Sequence, residues 1–405
     1  MLCQITRVTY LIIFICVLTT CISNTPEIKK EFTIKEQVLP YEVAYGDNGE
    51  MLFVDWQPSV KRIVFPSEVN EWPRRRLYSC NSNGKYYKEL ASTTEPCFLE
   101  CALSPDGKKL LFVASGITRG YSHDITLLDL DTNEEIRLTP RYKVDTQGKE
   151  VPIETQGEIY YEVDSYAGGW SPKGNYIIYQ VKYEGDSIKY AEEFYRIIDS
   201  DTKKEVKIFK NTTYPRFSPD DRYIIYSIPD RTDPKDENYK WYKIIREELL
   251  TKQKIELKRE PRSNFPDSFS WSPDGKLIAF IQKTDIGYQI CTMKPDGSNF
   301  TITTKFPTES ISGIPSWSPD SKKITFISQK QIFIVEINTK NLYQLTKGSD
   351  YQQVYFVNND RLLALRLQTE LVESQDSSVK LSRAFGQLVL IDIIEPILNS
   401  PLEKK

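Results

Sequence analysis

Histidine is almost absent from this chain, which has one, His123, in 405 residues. The commonest general base and nitrogen ligand for metals is thus available once, which excludes a multi-histidine metal centre and leaves little for acid–base chemistry near neutral pH. An excess of one charge is lacking too. Lys and Arg number 53 against 56 Asp and Glu, a formal net charge of -3, so no basic footprint draws the chain to nucleic acid or to anionic lipid. No G-x-S-x-G elbow occurs, and with it goes the usual signature of an α/β-hydrolase nucleophile. What is present is a composition 40% hydrophobic and 27% charged, enough for a large core, with 25 Tyr, 18 Phe and 6 Trp.

The first 20 residues read as an address. Arg7 supplies a positive start, residues 8–18 form a short apolar run, and the polar stretch N-T-P-E-I-K-K-E follows from Asn24. Such a run is shorter than the roughly 20 residues that span a bilayer, so it predicts an export signal rather than an anchor. Leu18-Thr19-Thr20-Cys21 resembles a bacterial lipobox, in which the cysteine becomes the lipidated first residue. Thr20 departs from the usual Gly, Ala or Ser at its position; a plain secretory signal cut nearby is the alternative. Residues 1–20 are assigned to the signal and 21–48 to a polar linker with a ring-closing strand. Export implies an oxidising compartment. Of the remaining cysteines, Cys80 is expected to pair with Cys97 or Cys101, and Cys291 to be a small buried hydrophobe. Their spacing does not suggest zinc, and neither metal nor cofactor is expected.

Internal repetition organises the rest. C-A-L-S-P-D-G-K-K-L-L-F-V-A at 101–114, S-W-S-P-D-G-K-L-I-A-F-I at 270–281 and S-W-S-P-D-S-K-K-I-T-F-I at 316–327 are copies of one unit. Weaker copies begin at 55, 169 and 216, and a degraded one covers 355–365. The anchors Pro58, Pro105, Pro172, Pro219, Pro273, Pro319 and Asn358 recur about every 50 residues. In each copy a bulky residue ends one strand, Pro and the following Asp, Gly, Asn or Ser make a tight turn, and an apolar strand follows. A third strand and a fourth complete an antiparallel blade. The unit predicts an all-β propeller over 49–400, with seven blades favoured by the anchors and six as the alternative.

These W-S-P-D-G repeats resemble the WD-like propeller repeats of the TolB family. The resemblance covers about 50–400 and implies a binding platform, often periplasmic or surface-anchored, commonly with six blades. TolB itself carries a small α/β domain before its propeller, for which the 30 residues after Cys21 leave no room.

Because Trp56, Trp170, Trp271 and Trp317 share one repeat position, they read as packing between blades rather than as sugar-stacking residues. Asp129 with Asp131, and Asp199 with Asp201, fall where blades turn, and read as turn residues rather than calcium ligands. Function is expected where the repeats differ. Long insertions at 114–124, 181–193 and 228–241, and the connection 141–169, contrast with short ones in the fifth and sixth repeats. They bring Tyr121, His123, Tyr160, Tyr161, Tyr166, Tyr183, Tyr190, Tyr239 and Trp241 to one candidate binding face. The function expected is an exported, non-enzymatic platform for a protein, peptide or glycan of the cell envelope, periplasmic or membrane-anchored only through lipid at Cys21. A propeller enzyme acting on polysaccharide or peptide, and a purely structural envelope subunit, are the alternatives.

Overall fold

A computed structural model describes residues 33–43, 54–68, 75–92, 98–115, 123–138, 142–144, 150–152, 169–183, 192–210, 212–213, 215–230, 241–261, 268–373 and 380–394. They form seven four-stranded antiparallel sheets and one small hairpin, with no helix among them. Each sheet is one repeat, so the seven-bladed reading holds and the six-bladed alternative falls. Blade 1 consists of Asp55–Gln57, Arg62–Glu68, Arg75–Asn81 and Lys88–Ser92; blade 4, of Arg216–Phe217, Tyr223–Pro229, Trp241–Glu248 and Lys254–Pro261. Blade 7 is assembled differently. Asp350–Asn358, Arg361–Glu373 and Lys380–Ile394 are joined at the outer edge by Thr33–Val43, which pairs antiparallel with Lys380–Ile394. The first and last described segments therefore share a sheet, which closes the ring.

The Ser-Pro-Asp-Gly turn explains itself in hydrogen bonds. In blade 2 the Ser104 hydroxyl donates to Asp106, whose Oδ1 also accepts the Lys108 N–H, while Ser104 Oγ accepts the Lys109 N–H. The same network recurs at Ser218 and Asp220, Ser272 and Asp274, and Ser318 and Asp320. Gly107 and Gly275 stand at φ near +70°, where a side chain is strained. In blade 3 the aspartate position holds Lys173, and the missing carboxylate arrives from blade 4: Asp221 accepts the Ser171 hydroxyl at 2.6 Å, the Lys173 N–H at 3.1 Å and the Asn175 side-chain amide at 3.1 Å.

Blades bury both faces, which is why their second and third strands are apolar runs rather than alternating ones. In blade 7 Leu363, Leu365, Leu388 and Leu390 pack toward blade 1, and Leu362, Ala364, Val389 and Ile391 toward blade 6. Seven hydrophobic clusters form, each shared by two neighbouring blades. The tryptophans belong to these seams. Trp170, Trp271 and Trp317 donate their indole N–H to Ala102, Arg216 and Ser270 of the preceding blade. Those bonds, with Gln57 to Leu103 and Val54 to Gln353, join first strands to first strands and place them innermost.

The cystine expected at Cys80 is not formed. Cys80 is a buried free thiol, facing the seam between blades 7 and 1, and desolvation pushes it up to about 12. Cys101 is buried on a different seam, against blade 2. Cys97 lies outside the described residues.

Candidate functional site

Second strands end, and first strands begin, on the same face of a blade that runs up and down. On that face blades 5 and 6 are nearly flat. Thr284 pairs with Gly287, and Ser328 with Gln331, across two-residue turns. Gly287 lies so close to the next connection that a Cβ would sit 1.9 Å from the Thr308 carbonyl oxygen. Blades 2 to 4 interrupt the same connection between Ser115 and His123, Tyr183 and Glu192, and Pro229 and Trp241. Between blades 2 and 3 the chain adds the hairpin Tyr142–Val144 with Glu150–Pro152. Among the described residues blade 7 contributes the largest projection. Its paired strands run on to Glu373 opposite Lys380, seven residues beyond the six of the blade 6 second strand, or about 20 Å. This projection was missed in the sequence, although the alternation of L-R-L-Q-T-E-L-V-E carries its signal.

Of the residues expected on this face, Tyr121, Tyr160, Tyr161, Tyr166, Tyr190 and Tyr239 lie outside the described residues, as does Cys21. His123, Tyr183 and Trp241 stand on strands instead of in the connections: His123 pairs with Ser115, Tyr183 with Glu192 and Trp241 with Pro261. Trp241 is 39% exposed, with the Arg259 guanidinium 4.9 Å from its ring. Arg259 and Lys243 also reach the buried Asp230 carboxylate, at 2.5 and 3.5 Å. Asp230 donates its N–H to the Trp241 carbonyl, so the root of the blade 4 insertion is clamped by charge and backbone together.

The axial channel is the second candidate. The residue before the bulky seam residue occupies one equivalent innermost position in every blade: Asp55, Ala102, Gly169, Arg216, Ser270, Ser316 and Tyr355. Three of these are functional groups of another order than the small side chains around them. Asp55 Oδ2 accepts the Leu103 N–H at 2.8 Å. Desolvation raises its carboxyl to about 6, against a smaller lowering by that backbone bond. The Tyr355 phenol is raised by burial and then by the Asp55 charge, and lowered by Arg216. Both charges are therefore felt at one hydroxyl inside the ring. Gly169 looks into open space, since a Cβ added there meets nothing within 4 Å. These positions were overlooked because a single sequence shows them as the variable letter before Trp. Asp, Arg and Tyr at a place otherwise held by Ala, Gly and Ser is the signal that could have found them. Among the described residues no three His, Cys, Asp or Glu side chains are gathered to hold a metal ion.

No protein-family model matches this sequence, and no curated protein is similar to it. Among solved structures it is similar to an oligogalacturonate lyase in complex with manganese, at 13% identity and a TM-score of 0.56 over 90% of this chain and 91% of that one. It is also similar to the β-propeller domain of Cps50 (Swd1) from Myceliophteria thermophila, at 10% identity and 0.50 over 88% and 99%. With TolB from Acinetobacter baumannii the identity is 18% and the TM-score 0.44, over 72% of this chain and only 64% of TolB. At such identities the likeness is one of architecture: this chain is a seven-bladed β-propeller, and its residues at the channel and on the elaborated face are its own.

Proposed function

We propose that this chain is an exported, non-enzymatic binding platform whose elaborated face engages a protein, peptide or glycan of the cell envelope. The observation that carries the reading is the asymmetry of the ring: the long connections of blades 2 to 4 leave from and return to strand ends on the face where blades 5 and 6 have two-residue turns, and the hairpin after blade 2 and the long blade 7 hairpin belong to the same side. Loops on a rigid scaffold provide varied contacts without disturbing the core. The amino-terminal signal and the lipobox-like Cys21 support an address in the envelope, periplasmic or lipid-anchored.

The test uses the full chain beside a variant whose segments 184–191 and 231–240 are each replaced by a two-residue turn. Both are offered to cross-linked envelope extract and to a glycan array. A defined protein or glycan should bind the native chain and be lost from the variant by about tenfold or more at unchanged melting temperature. Binding that ignores the replacement would move function off this face. Loss of fatty-acid labelling and of membrane association in Cys21→Ala tests the anchor.

The likeness to oligogalacturonate lyase favours a second reading, an enzyme acting on polysaccharide. Depolymerisation of oligogalacturonate by the purified chain with added manganese would establish it and displace the platform reading.

A further inference from the structure

We propose that the face of the ring opposite the elaborated one rests on a phospholipid bilayer, with Tyr86 of blade 1 and Leu250 of blade 4 reaching into the lipid interface. This goes beyond the platform reading, which uses the other face, and only one of its supports, the anchor at Cys21, rests on that reading.

Three observations converge. First strands end, and fourth strands begin, on this face, so the Ser-Pro-Asp-Gly turns and the turns between third and fourth strands make it up. In blades 2, 3, 4 and 6 the latter turns share one form: a carboxylate, Asp129, Asp199, Glu248 or Glu336, accepts a hydrogen bond from the threonine three residues on. The residue before that threonine is Asp131, Asp201 and Asn338 in three of them; in blade 4 it is Leu250, 81% exposed. Blades 1 and 5 share another form, in which Gly84 and Gly297 each donate an N–H to the carbonyl three residues back and a second positive φ follows two residues later, 58° at Tyr86 and 56° at Asn299. Asparagine adopts that conformation readily and tyrosine does not. Tyr86 is 83% exposed, so neither the turn nor the core accounts for its ring. At both sites a position that is polar in the sister turns carries a large side chain held out in solvent.

The third observation is the direction of the chain. Thr33 pairs with Ile394 at the strand ends on this same face, and Cys21 precedes Thr33 by twelve residues, a reach of at most about 40 Å. Lipid on Cys21 therefore brings this face toward the membrane. Tyr86 and Leu250 stand three blades apart rather than in one patch. A protein hot spot is a contiguous, centrally buried cluster, whereas a bilayer is a continuous plane that accepts isolated side chains, with the exposed Lys85, Lys88 and Lys252 beside them reaching its phosphates. With a net charge of -3, the chain depends on apolar insertion rather than on charge for this contact.

The experiment mixes the full chain, and separately Cys21→Ala, with vesicles of phosphatidylethanolamine and phosphatidylglycerol that include a diazirine-bearing phospholipid; after irradiation the lipid-bearing peptides are mapped. Cross-links should fall on 81–88 and 248–254 in both chains and persist in about 0.5 M salt. Tyr86→Asn combined with Leu250→Asp, which restores the residues of the sister turns, should lower them about fivefold or more at unchanged melting temperature. A higher yield in the native chain supports the anchor as well; equal yields uphold the lipid contact and remove the anchor. Cross-links concentrated on the elaborated face around Ile286 and Ile314, or unchanged in the double variant, would overturn the proposal. So would their absence from both chains, the result expected of a face that binds a protein instead.

Discussion

Asp55 shows at the residue scale what a channel position demands. Its carboxyl is raised from the ordinary carboxylate range to about 6 in the fold, mainly by desolvation. A carboxyl raised in the folded state contributes stability that is fully present below its unfolded pKa and is lost as the pH rises through the folded one. The chain is therefore expected to lose on the order of 2 to 3 kcal/mol from this group between pH 4 and pH 7. Asp55→Asn keeps an acceptor for the Leu103 N–H and removes the charge. Its thermal or urea unfolding should show higher stability than the native chain at pH 8 and no gain at pH 4. A native-like pH dependence in the variant would place the titration on another group. Cys80 behaves in the opposite way to a reactive thiol, since burial holds it protonated on the seam.

At the scale of the element, the repeat turn is a small network in which the aspartate collects a hydroxyl and a backbone N–H. Blade 3 obtains that carboxylate from its neighbour, because Asp221 stands at the blade 4 glycine position, at φ 61°, and is buried against Ser171. Asp221→Ala should destabilise the chain by about 2 to 4 kcal/mol, as the hydrogen bonds that Ser171, Lys173 and Asn175 donate to the carboxylate are lost. Adding Lys173→Asp to Asp221→Gly rebuilds Ser-Pro-Asp-Gly in both blades, and denaturant unfolding should show most of the loss recovered. The D-x-D pairs belong to the same scale. Asp129 and Asp199 accept N–H groups two and three residues ahead, and those bonds hold both carboxyls below the usual range. They are turn residues, as the sequence indicates.

For the whole molecule, the decisive contact is the closure. The strand Thr33–Val43 completes blade 7 and also touches blade 1, where Leu39 fills the space above Gly84 and Tyr41 stacks on Tyr87 at 4.7 Å. A Cβ on Gly84 would stand 2.3 Å from Leu39, so glycine is needed for the approach as well as for its φ of +70°. At this seam the Trp56 indole has no acceptor, unlike those of Trp170, Trp271 and Trp317. Leu39→Ala should therefore cost about 2 to 5 kcal/mol. Amide hydrogen exchange is expected to show opening that begins at the junction of blades 7 and 1, with protection lost first in 33–43 and 380–394.

How much was legible in the sequence follows the same scales. The repeat anchors determined the architecture, since Ser-Pro-Asp-Gly forms its turn from local bonds and the apolar strand after it needs a partner on each face. Four tryptophans at one position likewise marked the seams. Side chains far apart in the chain come together near the axis only when the ring closes, so the burial that raises the Asp55 carboxyl and the effect of its charge on Tyr355 were decided by the tertiary structure. The same holds for Asp221 serving blade 3 and for the blade 7 hairpin, whose length depends on pairing across 374–379. Local hydrogen bonding and period-two patterning are properties of short segments and can be read along the chain. Which groups share a dielectric enclosure depends on closure through Thr33–Val43, a contact between residues more than 300 apart in the sequence.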